Sequence, residues 1–241
     1  MLGQATLDAL DRIASRANDL GDAYRAGTVP RHGDVRGPEL VAPSNDPMSV
    51  AAPPGAWFVV RDASGQRAFS RDGRLQLSDG VLRTADGAAV LGYPGGDARG
   101  AVPVPLRVPP ADLALGRAAG AQVEADGTVA YTRSAIDPRS GARSVERVAL
   151  GTVALARFPA GSAPRRIDAT NVGAPAGVVP HLGTPADGTF PALATSSRDA
   201  GSLDLDTGLE RLAEAYRAFE ALTAAHHARG ETERTVLDLV K

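Results

Sequence analysis

The feature that most constrains this chain is a long helical pattern in its last 41 residues, 201–241. Its apolar side chains alternate steps of four and three residues, at Leu205, Leu209, Leu212, Tyr216 and Phe219. This spacing gives a narrow apolar line of the kind that coiled coils use. Asp206 and Thr207 are candidate N-caps, and Glu210 would complete a capping box with Thr207. Because one such line needs another to pack against, we expect a partner helix elsewhere in the chain.

A second helix with the same spacing is predicted in residues 1–27. Charged residues fall off its apolar line, which is formed by Thr6, Leu10, Ile13, Ala17, Leu20 and Tyr24. Gly21 would weaken this helix by about 1 kcal/mol relative to alanine, and Gly27 to Pro30 would end it. We therefore predict that the two terminal helices pair as a coiled coil.

Between the helices, the pattern changes to short strands and turns. Residues 28–46 are rich in proline and glycine and predict a linker, and residues 47–200 predict a central β-rich domain. Short β-branched and aromatic runs such as Trp57–Val60 alternate with Asp-Gly turn dipeptides, as at 72–73, 79–80, 86–87 and 126–127. Residues 159–200 are expected to be mostly loop. The predicted fold class is α+β.

Composition excludes several kinds of partner. The formal charge is -2 over 241 residues, so no general positive field attracts nucleic acid. No run of eighteen apolar residues exists, so no membrane insertion is expected. The first twenty residues contain several charges and lack the apolar core of a cleaved signal peptide. The absence of cysteine removes disulfides and thiolate sites.

The sequence offers little for catalysis, and we predict no catalytic, cofactor or metal site. His226 and His227 are adjacent, so on a helix they point about 100° apart and do not share a ligand by themselves. His32 and His181 are isolated in proline-rich segments. One alternative stays open, a secreted β-rich carbohydrate-binding or hydrolytic module. That function would need a carboxylate pair in a cleft or exposed aromatic residues, and aromatics make up 4% of the chain.

Several linked motifs in the central domain resemble those of the bacterial flagellar rod and hook proteins. Residues 57–60, 68–73, 82–87 and 90–92 are similar, in order, to the family patterns GFFVV, TRDG, LVTADG and VLG. Residues 123–129 resemble ADGTV, residues 151–158 resemble GTITLARF, and residues 216–220 resemble QRAYE. The N-terminal helix matches less well, because Asp19, Gly21 and Tyr24 stand where the family usually has small or amide side chains.

The resemblance implies a structural axial subunit of the flagellar basal-body rod, most similar to a proximal rod protein, with a distal rod or hook subunit as the alternative. Such a protein is exported through the flagellar type III apparatus without a cleaved signal peptide and polymerises in the periplasm. Its partners would be copies of itself and other rod proteins. The expected assembly interface comprises Leu10, Ile13, Ala17, Asn18, Leu20, Tyr24, Leu205, Leu209, Leu212, Tyr216, Arg217, Phe219 and Glu220.

The terminal helices are expected to be incomplete before assembly. Burial of roughly ten apolar side chains gives at most about 15–30 kcal/mol, while ordering some sixty residues costs about 1 kcal/mol each or more. We therefore predict frayed ends in the monomer. From Thr223 to Glu233 the apolar line fails, so the last helix is expected either to break near Gly230 or to shift its contact face to Leu222, Ala225, Val236 and Leu239.

Overall fold

The structure is a computed structural model that describes residues 2–22, 25, 27–31, 39–96, 98, 101–116, 118–136, 143–162, 164–201 and 204–239. The fold is α+β, with a long helix at each end and a mainly β central part. The chain divides into two compact units. The helical unit comprises residues 1–24, 30–38 and 202–241, and the β unit comprises residues 25–29 and 39–201. The predicted linker, 28–46, is therefore shared between the two units.

In the helical unit, helix α1 spans Leu2–Gly21 and helix α3 spans Leu205–Leu239, and the two helices contact each other. Asp204 caps α3, because its Oδ1 accepts the Thr207 N–H at 3.2 Å. The predicted cap at Asp206 and Thr207 is wrong, since both residues already lie in the first turn. Helix α3 continues through Gly230, so the predicted break at that residue does not occur.

The β unit contains short helix α2, Pro110–Ala114, and seventeen short strands among the described residues. The strands are β1 Val41–Pro43, β2 Val50–Ala51, β3 Ala56–Arg61, β4 Arg67–Ser70, β5 Leu75–Ser78, β6 Val81–Thr84, β7 Ala89–Tyr93, β8 Val104–Pro105, β9 Ala118–Val123, β10 Thr128–Ile136, β11 Arg143–Val153, β12 Leu155–Arg157, β13 Arg165–Arg166, β14 Asn171–Gly173, β15 His181–Gly183, β16 Ala194–Thr195 and β17 Ser197–Asp199.

One large antiparallel sheet organises these strands. Its main path runs β13-β14-β4-β3-β7-β11-β10-β9, with β12 pairing β3 and with the β5–β6 hairpin attached to β7. Two small pairs, β1 with β17 and β2 with β16, join the first and last strands of the unit. Residues 159–200 carry five short strands, and most of the described residues of this segment lie outside them, so the expectation of mostly loop is confirmed. These strands have only two or three residues each, too few for a clear period-two signal.

Strand β3 is buried on both faces, because successive side chains of a strand point to opposite sides. Phe58 and Val60 belong to one apolar cluster, together with Leu82, Leu106 and Leu155. Trp57 and Val59 belong to a second cluster on the other face, with Phe69, Leu91 and Val172. Trp57 is 4% exposed, so it is a core residue and offers no stacking platform for a sugar.

The Asp-Gly dipeptides have two different roles. Asp79 and Gly80 have φ of 51° and 70°, as a two-residue type I′ turn requires, and they join β5 to β6 as predicted. Gly73 does not adopt positive φ. An added Cβ there would lie 1.6 Å from the Val50 carbonyl oxygen, so this glycine permits close backbone contact between two segments.

Candidate assembly surface on the terminal helices

Helix α1 buries one line of side chains and exposes a neighbouring line. Ala9 and Ile13 are buried, and Ala5, Arg16 and Leu20 are half-buried. The spacing is four, four, three and four residues, and this line shares Ile13 and Leu20 with the predicted one, whereas the predicted Leu10 and Ala17 are exposed. Sequence pattern alone does not separate the two, because both advance by about seven residues every two turns.

Helix α3 also buries one line of side chains and exposes a neighbouring line. Its most buried residues lie along Leu205, Gly208, Leu212, Ala215, Phe219 and Leu222, a regular alternation of three and four. The predicted line shares Leu205, Leu212 and Phe219 with this set. Its other members, Leu209 and Tyr216, are 57% and 50% exposed. The prediction therefore combined residues from two adjacent lines.

The two helices approach each other closely at Leu20 and Gly208. A Cβ added to Gly208 would come within 2.9 Å of the Leu20 Cδ2 atom. Gly208 was not predicted as a contact residue. A glycine inside a helix destabilises it by about 1 kcal/mol relative to alanine. A glycine within a predicted helix therefore indicates that close packing requires it, and this was the signal in the sequence for Gly208.

Asp19 is a second residue of the helical unit that the predicted surface did not include. It is 2% exposed, and its Oδ1 accepts the Arg31 N–H at 2.8 Å, with the Arg31 Nε at 3.8 Å. This contact ties the segment that follows α1 back to the end of the helix. The charge that departs from the family pattern at this position therefore has a partner within the same unit.

The predicted assembly residues thus fall into two groups. Ile13 is buried, and Leu20, Leu205, Leu212 and Phe219 are half-buried. The exposed group comprises Leu10, Ala17, Asn18, Leu209, Tyr216, Arg217 and Glu220. Tyr24 lies outside the described residues. Their role in assembly stays a prediction.

The exposed residues of α1 include an apolar row, which we call the exposed stripe: Leu7, Leu10, Ala14 and Ala17. Their steps of three, four and three place them on one face of the helix. Leu7 is 58% exposed and Leu10 is 44% exposed. A row of this kind on a helix is suited to packing against another apolar helix face.

The β unit contains one cleft with several carboxylates, which bears on the hydrolytic alternative. It encloses about 400 Å³ and is lined by Arg25, Asp62, Asp86, Asp168 and Asn171, among others. Asp86 Oδ2 accepts the Thr170 hydroxyl at 2.6 Å, and its Oδ1 pairs with Arg25. Asp168 Oδ1 accepts the backbone N–H groups of Thr170 and Asn171 at 2.9 and 2.8 Å. These carboxylates hold turns together.

The pKa values of two carboxylates in the cleft also argue against a hydrolytic site. Partial burial raises the pKa of Asp86, but hydrogen bonds from Thr170 and Arg25 outweigh it and hold that pKa below its ordinary value. The Ser64 hydroxyl and nearby backbone N–H groups likewise lower the pKa of Asp62. A general acid at neutral pH needs a raised pKa. Neither carboxylate fits that role.

Among the described residues, no cluster of three histidine, aspartate or glutamate side chains is placed to hold a metal ion. No helix among them is both long and apolar enough to cross a membrane.

Residues 55–131 match the family model of the flagellar hook protein FlgE/F/G D1 domain. This segment runs from the start of β3 into β10 and contains the motifs of residues 57–60, 71–73 and 82–87. It is about a third of the chain. No curated protein matched the chain.

The match is a similarity to a domain of flagellar hook proteins over less than half of the chain. The match does not distinguish a rod protein from a hook protein.

Proposed function

We propose that this chain is a structural axial subunit of the bacterial flagellar basal-body rod. It polymerises through its terminal helices with copies of itself and with other rod proteins, and it builds the shaft that transmits torque and encloses the export channel. In this proposal the helices form a coiled coil in the assembled rod. The D1 match in residues 55–131 supports the flagellar part of the proposal.

The observation that carries the assembly mode is the division of the apolar residues on the two terminal helices. One line on each helix is buried or half-buried, while Leu7, Leu10, Leu209 and Tyr216 remain 44–58% exposed. Exposed leucines at helical spacing cost solubility unless another surface covers them. Contact with neighbouring subunits would cover these side chains.

The compactness of the β unit favours a rod position over a hook position. Residues 39–201 form one compact unit together with residues 25–29. By family resemblance, hook subunits usually carry additional outer domains, which would be expected as further units inserted in this region. The resemblance of the Trp57 strand to proximal rod proteins favours the proximal position. Passage through the flagellar type III export apparatus into the periplasm is part of the same proposal.

Leu10→Asp tests the assembly surface. A carboxylate in a contact that excludes water is costly, so incorporation into isolated basal bodies should fall roughly tenfold or more, with a matching loss of motility. The folding of the monomer should change little, because Leu10 is exposed. Leu115→Asp is the matched control, since Leu115 is 59% exposed but lies in the β unit. Normal incorporation of Leu10→Asp would contradict the proposed surface.

Location is tested separately by imaging basal bodies that carry a tagged copy of the chain. Label along the rod close to the inner membrane supports the proximal position. Label confined to the hook would replace the rod proposal with the hook alternative. Absence of label from intact basal bodies would contradict the axial function altogether.

A further inference from the structure

Arg71 lies at the end of β4 and is a buried cation with an unusually complete set of partners. Its side chain is 5% exposed. Its Nε donates to Asp199 Oδ2 at 2.5 Å, and its Nη1 lies 3.0 Å from Glu39 Oε2. Nη1 also donates to the carbonyl oxygens of Ala56 at 2.9 Å and Pro53 at 3.3 Å. The guanidinium carbon stands 5.9 Å from the centre of the Trp57 ring.

This set of contacts offsets the cost of burying the charge. A buried guanidinium without partners is strongly unfavourable, whereas two carboxylates and two carbonyl oxygens satisfy most of its donors. The contacts also span the sequence, because Glu39, Arg71 and Asp199 come from three distant segments. Arg71 therefore adds a side-chain link among three segments, two of which, those of Glu39 and Asp199, also meet in the β1–β17 pair.

Asp199 extends the network to both ends of the β unit. Its backbone carbonyl accepts the Gly27 N–H at 3.2 Å. Its other carboxylate oxygen, Oδ1, accepts the Gly201 N–H at 2.8 Å. Residues 25–29 enter the β unit and Gly201 is its last residue. A single aspartate held by Arg71 therefore contacts the entry and the exit of this unit.

The packing of Gly27 shows that the entry segment is tightly fixed there. Gly27 has φ of 70°, and an added Cβ would lie 2.4 Å from the Asp72 nitrogen and 2.7 Å from the Arg71 carbonyl carbon. The entry segment thus touches the backbone of the residue whose side chain holds the exit segment. The next residue, Thr28, is buried at 2% exposed.

We propose that Arg71 is a positioning residue that fixes the entry and the exit of the β unit at one point. Through Asp199 it holds residues 27 and 201 together, and through Glu39 it holds the segment that leads to β1. Loss of the guanidinium loosens both ends at once and leaves the central strands intact. This inference rests on contacts within the β unit and stands independently of what the chain assembles with.

Amide hydrogen exchange on the purified full-length chain tests this inference. Arg71→Met should speed exchange at the Gly27 and Gly201 amides roughly tenfold or more, because both amides depend on the position of Asp199. The amides of Leu82 and Val153 should keep their rates, since they donate to the carbonyls of Leu106 and Gly127 in the sheet. Arg67→Met is the matched control, as Arg67 is an exposed arginine of β4, the strand that directly precedes Arg71.

Two further variants keep the test decisive if Arg71→Met folds poorly. Asp199→Asn keeps the backbone carbonyl that binds Gly27, so faster exchange at Gly27 in this variant reports movement of the segment. Arg71→Lys keeps the charge but loses the forked donors, and its exchange rates should fall between those of the wild type and Arg71→Met.

The outcomes separate clearly. Faster exchange at Gly27 and Gly201, with Leu82 and Val153 unchanged, supports the positioning role. Unchanged exchange at both end amides in Arg71→Met and Asp199→Asn would overturn it. An equal rise at all four amides in every Arg71 and Asp199 variant would also overturn it, because that result describes general destabilisation. None of these results depends on incorporation into basal bodies, so failure here is distinct from failure of the proposed function.

Discussion

The β unit and the terminal helices differ in how completely they bury their apolar side chains. In the β unit, large apolar side chains such as Phe58, Val60, Leu82 and Leu106 are fully buried at 0% exposure. In the helical unit, only one of two adjacent apolar lines is covered, and leucines at 44–58% exposure remain on α1 and α3. The β unit has a buried apolar core of its own, whereas the helices leave apolar side chains exposed.

The difference follows from the geometry of the elements. A central strand buries both of its faces, because the sheet has apolar clusters on either side of β3. When two helices pack together, each covers only the side chains of the other that face it. Apolar residues outside that face stay exposed unless another surface covers them. This contrast predicts that the two units respond independently to substitution.

Phe58→Ala should have the largest effect and should act on the β unit alone. Removal of a fully buried ring should lower the free energy of unfolding of this unit by about 3–5 kcal/mol. Trp57 is the only tryptophan of the chain, so its fluorescence in urea reports this unit, and circular dichroism at helical wavelengths reports α1 and α3.

The matched control for Phe58→Ala is Val145→Ala, at a residue that is 66% exposed on β11. That substitution should change the stability by no more than about 0.5 kcal/mol. If the helical signal of Phe58→Ala shifts together with the Trp57 transition, the two units unfold as one. That result would contradict their independent response to substitution.

Gly230→Ala should have a smaller effect of opposite sign on the helical unit. Gly230 lies inside α3, and an added Cβ would meet no described atom within 4 Å. Alanine should therefore stabilise this helix by about 1 kcal/mol and raise the helical signal without moving the Trp57 transition. Gly208→Ala is the control, since Leu20 must shift to admit the new Cβ, and its gain should be smaller or absent. Equal gains at both positions would contradict the close helix contact.

Asp187→Asn should have the smallest effect, a loss of stability near neutral pH that disappears in acid. Partial burial raises the pKa of Asp187, but hydrogen bonds from the backbone N–H groups of Phe190, Thr184 and Thr189 outweigh it, and the pKa lies below its ordinary value. Because the folded pKa is the lower one, the stabilisation is complete above the unfolded pKa, near 4, and is lost as the pH falls through the folded value.

The measurement for Asp187 is the urea midpoint of the Trp57 transition between pH 5 and pH 2. The wild type should lose stability in this range more steeply than Asp187→Asn, which carries no titrating group at this position. Identical slopes for the two proteins would show that these hydrogen bonds do not depend on the charge of the carboxylate.

Sequence patterns predicted the central strands well because local chemistry determines them. The predicted strand run Trp57–Val60 lies within β3, and the Asp79-Gly80 hairpin has the turn that its residues favour. The two long helices also followed from the periodicity of their apolar residues. In each case, the signal lies within a few neighbouring residues.

The parts that sequence reasoning missed depend on partners far away in the chain. Arg71 binds Asp199, and Gly73 is a glycine because the Val50 carbonyl passes beside it. No local pattern reveals either contact. On helix α3, part of the predicted buried face was displaced by one residue. Leu209 and Gly208 are neighbours, and both fit a spacing of three and four residues. Only the position of the partner helix decides which of two adjacent lines is buried.

The central claim is that assembly completes the terminal helices, whereas the β unit is complete in the monomer. The most direct measurement is amide hydrogen exchange of α1 and α3 in the purified monomer and again in assembled rods. The account predicts that helix amides gain at least tenfold protection on assembly, while amides of the β core, such as Leu82 and Val153, keep their rates. Helices as well protected in the monomer as in the rod would contradict it.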